Sequence, residues 1–223
     1  MYIMSNDTIT TKVGRLMALA KQLPIFSFND LLSVEKDRAY LKIFLSRYAK
    51  KGKILRLKKG LYVSADYVLE MRLAGRLSEY VEFVAITLES PSYLSLDYVL
   101  YEHGLLTEIP TNVTAITLAK PMSFVNGLGN FIYHKIKPSL FVGFNLTKKG
   151  KFYLARATKV KALFDWLYLR KNSLLDKTAV AELRLNWNNM KTTDWRELER
   201  YCKLEGTMKM KNIFKMLSSY GNY

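Results

Sequence analysis

The stretch Lys36-Asp37-Arg38-Ala39-Tyr40-Leu41-Lys42-Ile43-Phe44-Leu45-Ser46-Arg47-Tyr48-Ala49-Lys50-Lys51-Gly52-Lys53-Ile54-Leu55-Arg56-Leu57-Lys58-Lys59-Gly60-Leu61-Tyr62-Val63 changes its period part-way along. Its first half predicts a helix from about Asp37 to Lys51, because Leu41, Phe44, Leu45 and Tyr48 recur at helical spacing. Arg38, Lys42, Arg47 and Lys50 occupy the remaining faces, and Gly52 suits the left-handed residue that closes a helix. Beyond Gly52 the period falls to two. Ile54, Arg56 and Lys58 alternate with Leu55 and Leu57, Lys59-Gly60 makes a turn, and Leu61-Tyr62-Val63 returns as a second strand.

Upstream, Thr10 to Lys21 reads as a helix with Val13, Leu16, Met17 and Ala20 on one apolar stripe, closed by Pro24. Ser27 offers an N-cap for a short second helix, and Asp30 stands in the capping-box position. Three helices followed by a basic hairpin is the order of a winged helix-turn-helix. We therefore place a DNA-binding domain at residues 1–65. In that fold the third helix enters the major groove of double-stranded DNA with its N-terminal half nearest the base edges. Arg38, Tyr40 and Ile43 lie on that approach. Lys42, Arg47 and Lys50 could reach phosphates, Lys51 and Lys53 are further candidate DNA contacts, and Arg56, Lys58 and Lys59 would track the adjacent backbone or minor groove.

Charge patterning agrees with this order. The 223-residue chain carries a formal charge of +16. Residues 1–63 hold 13 basic and 4 acidic residues (+9), residues 64–150 hold 7 and 8 (−1), and residues 151–223 hold 15 and 7 (+8). Between Lys36 and Lys59 ten basic residues face Asp37 alone. A solvated face normally mixes signs; a one-signed helix and hairpin point to a polyanion. The basic tail, with Arg184, Lys191, Arg196, Arg200, Lys203, Lys209, Lys211 and Lys215, supports two readings. It is a second polyanion surface, or it is the exposed side of amphipathic helices whose Trp195, Leu198, Ile213, Phe214 and Leu217 complete a core. Its seven acids favour the second.

The middle is read more coarsely. Residues 66–77 form a helix or linker, and residues 79–89 are ambiguous between helix and strand. Ser95 caps a helix carrying Leu96, Val99 and Leu100 and ended by Gly104. Val113 to Leu118 is strand-like, Phe131 to Ile136 is expected to pair with Leu140 to Phe144, and Phe152 to Ala155 adds another strand. Gly127-Leu128-Gly129-Asn130 reads as a hairpin turn. Thr158 caps a helix over 160–169, and three further helices are expected around 179–185, 195–204 and 208–217. The fold class is thus α+β: a winged helix followed by a mixed α/β domain, residues 66–223, that ends in helices.

Enzyme chemistry is weakly signalled. Asp97, Tyr101, His103 and Glu108 could in principle serve as acids and bases, but a single histidine near a helix end is more simply structural, and His134 reads as a solvent-face strand residue. No phosphate-binding loop, metalloprotease motif or nucleophile elbow occurs. A single cysteine, Cys202, excludes an internal disulfide framework and is expected to be an ordinary thiol. No metal or cofactor is implied. The start, Met1 to Lys12, lacks the pattern of a secretion signal, and no run is apolar enough to span a membrane, so a cytoplasmic location is expected.

Four segments together resemble a known family. They are Lys51-Gly52-Lys53-Ile54 with Lys59-Gly60-Leu61-Tyr62; Tyr93 to Pro110; Phe131 to Ile136; and Lys161 to Leu169. In this order and at these spacings, residues 10–171 resemble the AbiEi-type antitoxins of abortive-infection type IV toxin–antitoxin pairs. The resemblance implies an N-terminal winged helix that binds operator DNA at inverted repeats and represses its own operon, and a C-terminal domain needed for antitoxicity. It implies a neighbouring nucleotidyltransferase-like toxin, opposed without necessarily forming a stable complex, and a role in phage defence. The residues responsible for antitoxicity are not implied. Rival readings are a winged-helix transcription factor with a ligand- or partner-sensing C-terminal domain, and an enzyme delivered to nucleic acid by its winged helix.

Overall fold

The computed structural model describes residues 11–220; residues 1–10, where the leader reading falls, lie outside the described residues. The chain divides into two compact units, one running up to Val84 and including Phe124–Gly129, the other formed by Ala85–Ser123 and Asn130 onward.

The first unit opens with α1 (Lys12–Gln22), capped by Thr11, whose hydroxyl oxygen accepts from Gly14 N at 2.9 Å. Strand β1 (Phe26–Ser27) leads into α2 (Phe28–Leu31), where Ser27 and Asp30 form the expected capping box. Helix α3 (Arg38–Lys50) is followed by β2 (Ile54–Lys58) and β3 (Leu61–Ser64), and then by α4 (Ala65–Leu73) and α5 (Leu77–Leu88). The three strands form one antiparallel sheet in the order β1-β3-β2. Leu16, Ala20, Phe26, Leu31, Leu41, Phe44 and Ile54 close a single core between helices and sheet. This is the winged helix expected from the sequence, with a third strand that a two-residue stretch could not announce. The segments 66–77 and 79–89 resolve as helices.

The second unit contains β4 (Ser92–Leu94), α6 (Leu96–Glu102), β5 (Asn112–Thr117), β7 (Gly129–Lys135, from Asn130 on), β8 (Phe144–Lys149) and β9 (Phe152–Ala157), while β6 (Met122–Asn126) falls within the first unit from Phe124 on. Helices α7 (Lys159–Arg170), α8 (Lys177–Ala181), α9 (Thr192–Glu205) and α10 (Met208–Leu217) follow. The sheet order is β6-β7-β5-β4-β9-β8. Two expectations are corrected here. Phe131 to Ile136 does not pair with Leu140 to Phe144: β7 lies parallel to β5, while 138–140 is a 3-10 turn and β8 pairs with β9. Strand β5, buried from Val113 to Thr117, is an interior strand whose two edges are taken by β4 and β7, so its backbone groups are satisfied by strands distant in sequence and not by a local hairpin. Ser95 occupies the N-cap position of α6, but its hydroxyl donates to Asp165 Oδ2 at 2.8 Å instead of capping the helix.

That bond belongs to a fully buried ion pair. Lys161 and Asp165 are both 0% exposed, and Lys161 Nζ stands 2.5 Å from Asp165 Oδ1. Tyr93 OH also donates to Asp165 Oδ2 (3.0 Å), and Lys161 Nζ donates to Leu140 O (2.8 Å). Burial pushes the Asp165 carboxyl up to about 6, against the pull of Lys161, Ser95 and Tyr93. The pair ties α7 to β4, to the start of α6 and to the turn before β8. Removing one member strands a buried charge, which costs about 3–5 kcal/mol. Asp165→Ala is therefore expected to lose about that much in urea unfolding, with much of it regained in Lys161→Met/Asp165→Leu. A loss for Asp165→Ala of under about 1 kcal/mol, the scale of an exposed pair, would contradict this.

Candidate nucleic-acid interface

Helix α3 starts where Asp37 accepts hydrogen bonds from Ala39 N (2.8 Å) and Tyr40 N (3.0 Å), and it ends at Gly52, whose φ of 68° suits a residue without a Cβ. Between these stops, Leu41, Phe44 and Leu45 are buried, so helical periodicity turns Ala39, Lys42, Ile43, Ser46, Arg47 and Lys50 outward, and all six are exposed. Ile43 is 61% exposed, unusual for isoleucine. It lies in a shallow groove of about 520 Å³ bordered by Lys42, Ser46, Arg47, Lys50 and Lys51.

The hairpin stands against this helix. Arg56 of β2 shares a cleft of about 370 Å³ with Lys42, Ser46 and Lys50. The register of β2 on β3 shifts between Arg56 and Lys58. This bulge explains why Ile54 and Leu57 are both buried while Arg56 is exposed, a departure from the strict alternation read in the sequence. Lys59 is exposed at the turn, where Gly60 has a φ of 85°.

Not every candidate is equally presented. Arg38 is exposed, with its guanidinium 5.0 Å from the Phe28 ring centroid. Tyr40 is half-buried against the core, with Lys12 Nζ 5.6 Å from its ring centroid. Lys51 is exposed beside Tyr48, and Lys53 is exposed at the entry to β2. Lys58 is half-buried, its ammonium 5.6 Å from the Phe124 ring, close to where Asn126 Nδ2 donates to Leu57 O at 3.1 Å. The structure thus gathers Lys42, Ile43, Arg47, Lys50, Lys51 and Arg56 on one surface and turns Tyr40 inward. Ala39 and Ser46 join that surface; helical spacing in the sequence would have found both.

The acids nearest in sequence to this surface are engaged. Asp37 is committed to the helix cap, and Glu35 pairs with Lys12 at 2.8 Å. The Lys12 hydrogen bond holds the Glu35 carboxyl below its usual range, and Glu35 raises the Lys12 ammonium in return.

The acid–base candidates of the second unit are not brought together. Asp97 and Glu108 line a cleft of about 610 Å³ with Trp166, Arg170 and Arg184, and neither Tyr101 nor His103 lines it. Asp97 accepts from Trp166 Nε1 at 2.8 Å and faces Arg170 at 3.5 Å, so it is already engaged. His103 is exposed at the α6 C-terminus. His134 is half-buried, not a solvent-face residue: desolvation lowers its imidazole pKa, with Asp97 opposing. Burial pushes the Cys202 thiol up to about 12, aided by Glu205 and Glu199, which leaves it unreactive. Among the described residues, no cluster of three or more His, Cys, Asp or Glu could hold a metal, and no helix is long and apolar enough to cross a membrane.

The segment that carries α3 and the hairpin also carries a family signature. Residues 15–65 match the family model described as a transcriptional regulator, AbiEi antitoxin. The match begins inside α1 and ends at the start of α4, so it spans the helices, the core and the wing described above. AbiEi antitoxins are a family of regulators, not of enzymes. No curated protein matches the chain.

The Asp37 cap sets the start of α3 and can be tested apart from its charge. Asp37→Ala is expected to cost about 1 kcal/mol of unfolding free energy, while Asp37→Asn, an equally good cap, costs a few tenths at most. Equal losses in the two variants would show that the cap does not hold the helix start.

Proposed function

We propose that this protein is a transcriptional regulator that binds double-stranded operator DNA through α3 and the β2–β3 hairpin, and that it serves as the antitoxin of a type IV toxin–antitoxin pair. The observation that carries the reading is the outward face of α3. Lys42, Arg47 and Lys50 stand there with Arg56 beside them, and the acids nearest in sequence are engaged in a cap and an ion pair. The AbiEi match over the same residues supports a regulator of this kind.

In this reading α3 lies in the major groove. Lys42, Arg47, Lys50 and Lys51 meet phosphates on the groove walls, while Lys53, Arg56 and Lys59, with Lys58 behind them, follow the neighbouring backbone. Arg38, at the helix N-terminus beside the Phe28 ring and off the central outward stripe, would meet the DNA at the edge of that groove. Binding at inverted repeats in its own promoter would make the protein an autorepressor. Its C-terminal domain, residues 66–223, would counter the effect of a cognate nucleotidyltransferase-like toxin in the cytoplasm, without a stable complex being required. The residues of the domain proposed to contact DNA all fall within 1–65, and those proposed for antitoxicity within 66–223.

The test is the salt dependence of binding by the full chain. Each phosphate contact releases counterions, so log affinity falls with log salt at about 0.9 per contact. Replacing Arg56 and Lys59 by Ala should weaken binding to all duplexes and reduce the slope by about two. An unchanged affinity and slope would remove the hairpin from the interface.

A further inference from the structure

The middle of the outward stripe on α3 is not basic. Ala39, Ile43, Ser46 and Lys50 recur at i, i+4, i+7 and i+11, opposite the buried Leu41, Phe44 and Leu45. The cations Lys42 and Arg47 stand on the two shoulders of that stripe. A helix laid in a major groove presents its central stripe to the base edges and its shoulders to the phosphate walls. The base-facing positions here are therefore a methyl, an exposed isoleucine and a hydroxyl; the first long hydrogen-bond donor on the stripe is Lys50.

We infer that Ile43 reads a thymine through its 5-methyl group, so that each operator half-site carries a thymine beneath the centre of α3. The inference rests on the DNA-binding reading above and adds the base class that it left open. Apolar side chains recognise thymine in the major groove because its 5-methyl is the apolar feature of the base-pair edges there. An isoleucine 61% exposed in a groove bordered by four cations is poorly placed for an apolar protein partner, which would have to bury those charges. DNA neutralises the charges and supplies the methyl in the same docking geometry. Ser46, next along the stripe, can meet either a donor or an acceptor and so does not compete with this assignment.

The experiment uses the full chain and a duplex enriched by it from random DNA. Each thymine is replaced in turn by deoxyuridine, which removes only the 5-methyl, and binding is followed by fluorescence anisotropy. One thymine per half-site is expected to show about a fourfold loss, the worth of one buried methyl group. Ile43→Ala, an exposed change that leaves the core alone, should bind the thymine and deoxyuridine duplexes equally, and Ile43→Val should retain part of the difference. A duplex with no methyl-sensitive thymine would overturn the inference, as would Ile43→Ala keeping the full sensitivity; DNA binding itself would stand in both cases. Failure to enrich any duplex would overturn the DNA-binding reading and this inference with it.

Discussion

One helix has to satisfy two demands at once. Helix α3 must bury Leu41, Phe44 and Leu45 in the core shared with Leu16, Leu31 and Ile54, and that requirement alone turns Lys42, Ile43, Ser46, Arg47 and Lys50 outward. The stops at Asp37 and Gly52 set where the helix begins and ends, and the bulge between Arg56 and Lys58 sets which way the hairpin presents its cations. Ten basic residues within 24 repel one another and lower the stability of the compact state. The apolar core beneath offsets that repulsion in the free protein. A polyanion would relieve it, which is why the charge is better explained by a partner than by solubility.

The second unit treats its charge differently. Lys161 and Asp165 are paired in the core, Lys159 with Asp194 and Lys171 with Glu205 pair nearer the surface, and Arg156 meets Glu102. On α9, Lys203 and Arg200 stand near Glu199 and Glu197, while Trp195, Leu198, Ile213 and Leu217 are buried. On α9 the basic tail is thus the solvated side of an amphipathic helix with acids interspersed, whereas α10 carries Lys209, Lys211 and Lys215 with no acid in its length. A total of +16 combines two different designs, and the first accounts for the proposed function.

How much of this was legible in the sequence followed from how local each signal is. Capping residues such as Ser27 and Thr158, the left-handed Gly52 and Gly60, and the apolar stripe of α3 act within a few residues, and helices and hairpin appear where these signals put them. Strand pairing is not local. The two residues of β1 are defined only by Phe26 and Ser27 meeting Tyr62 and Leu61, and β7 lies parallel to β5, a pairing between segments that no turn joins directly. Ser95 looked like a cap because its distant partner, Asp165, is invisible to local reading. At the site, charge and period located the surface, but they could not show that Tyr40 packs inward under Lys12 or that Lys58 lies over Phe124. Both depend on residues that only the fold brings near.

DNA binding through α3 and the hairpin is tested most directly by mapping backbone amide chemical shifts in the isotope-labelled full chain during titration with duplex DNA. Perturbations are expected to concentrate at Lys42, Ile43, Ser46, Arg47 and Lys50 and at Arg56 and Lys59 in the hairpin. Perturbations centred on α9 and α10, with α3 unmoved, would contradict this binding mode.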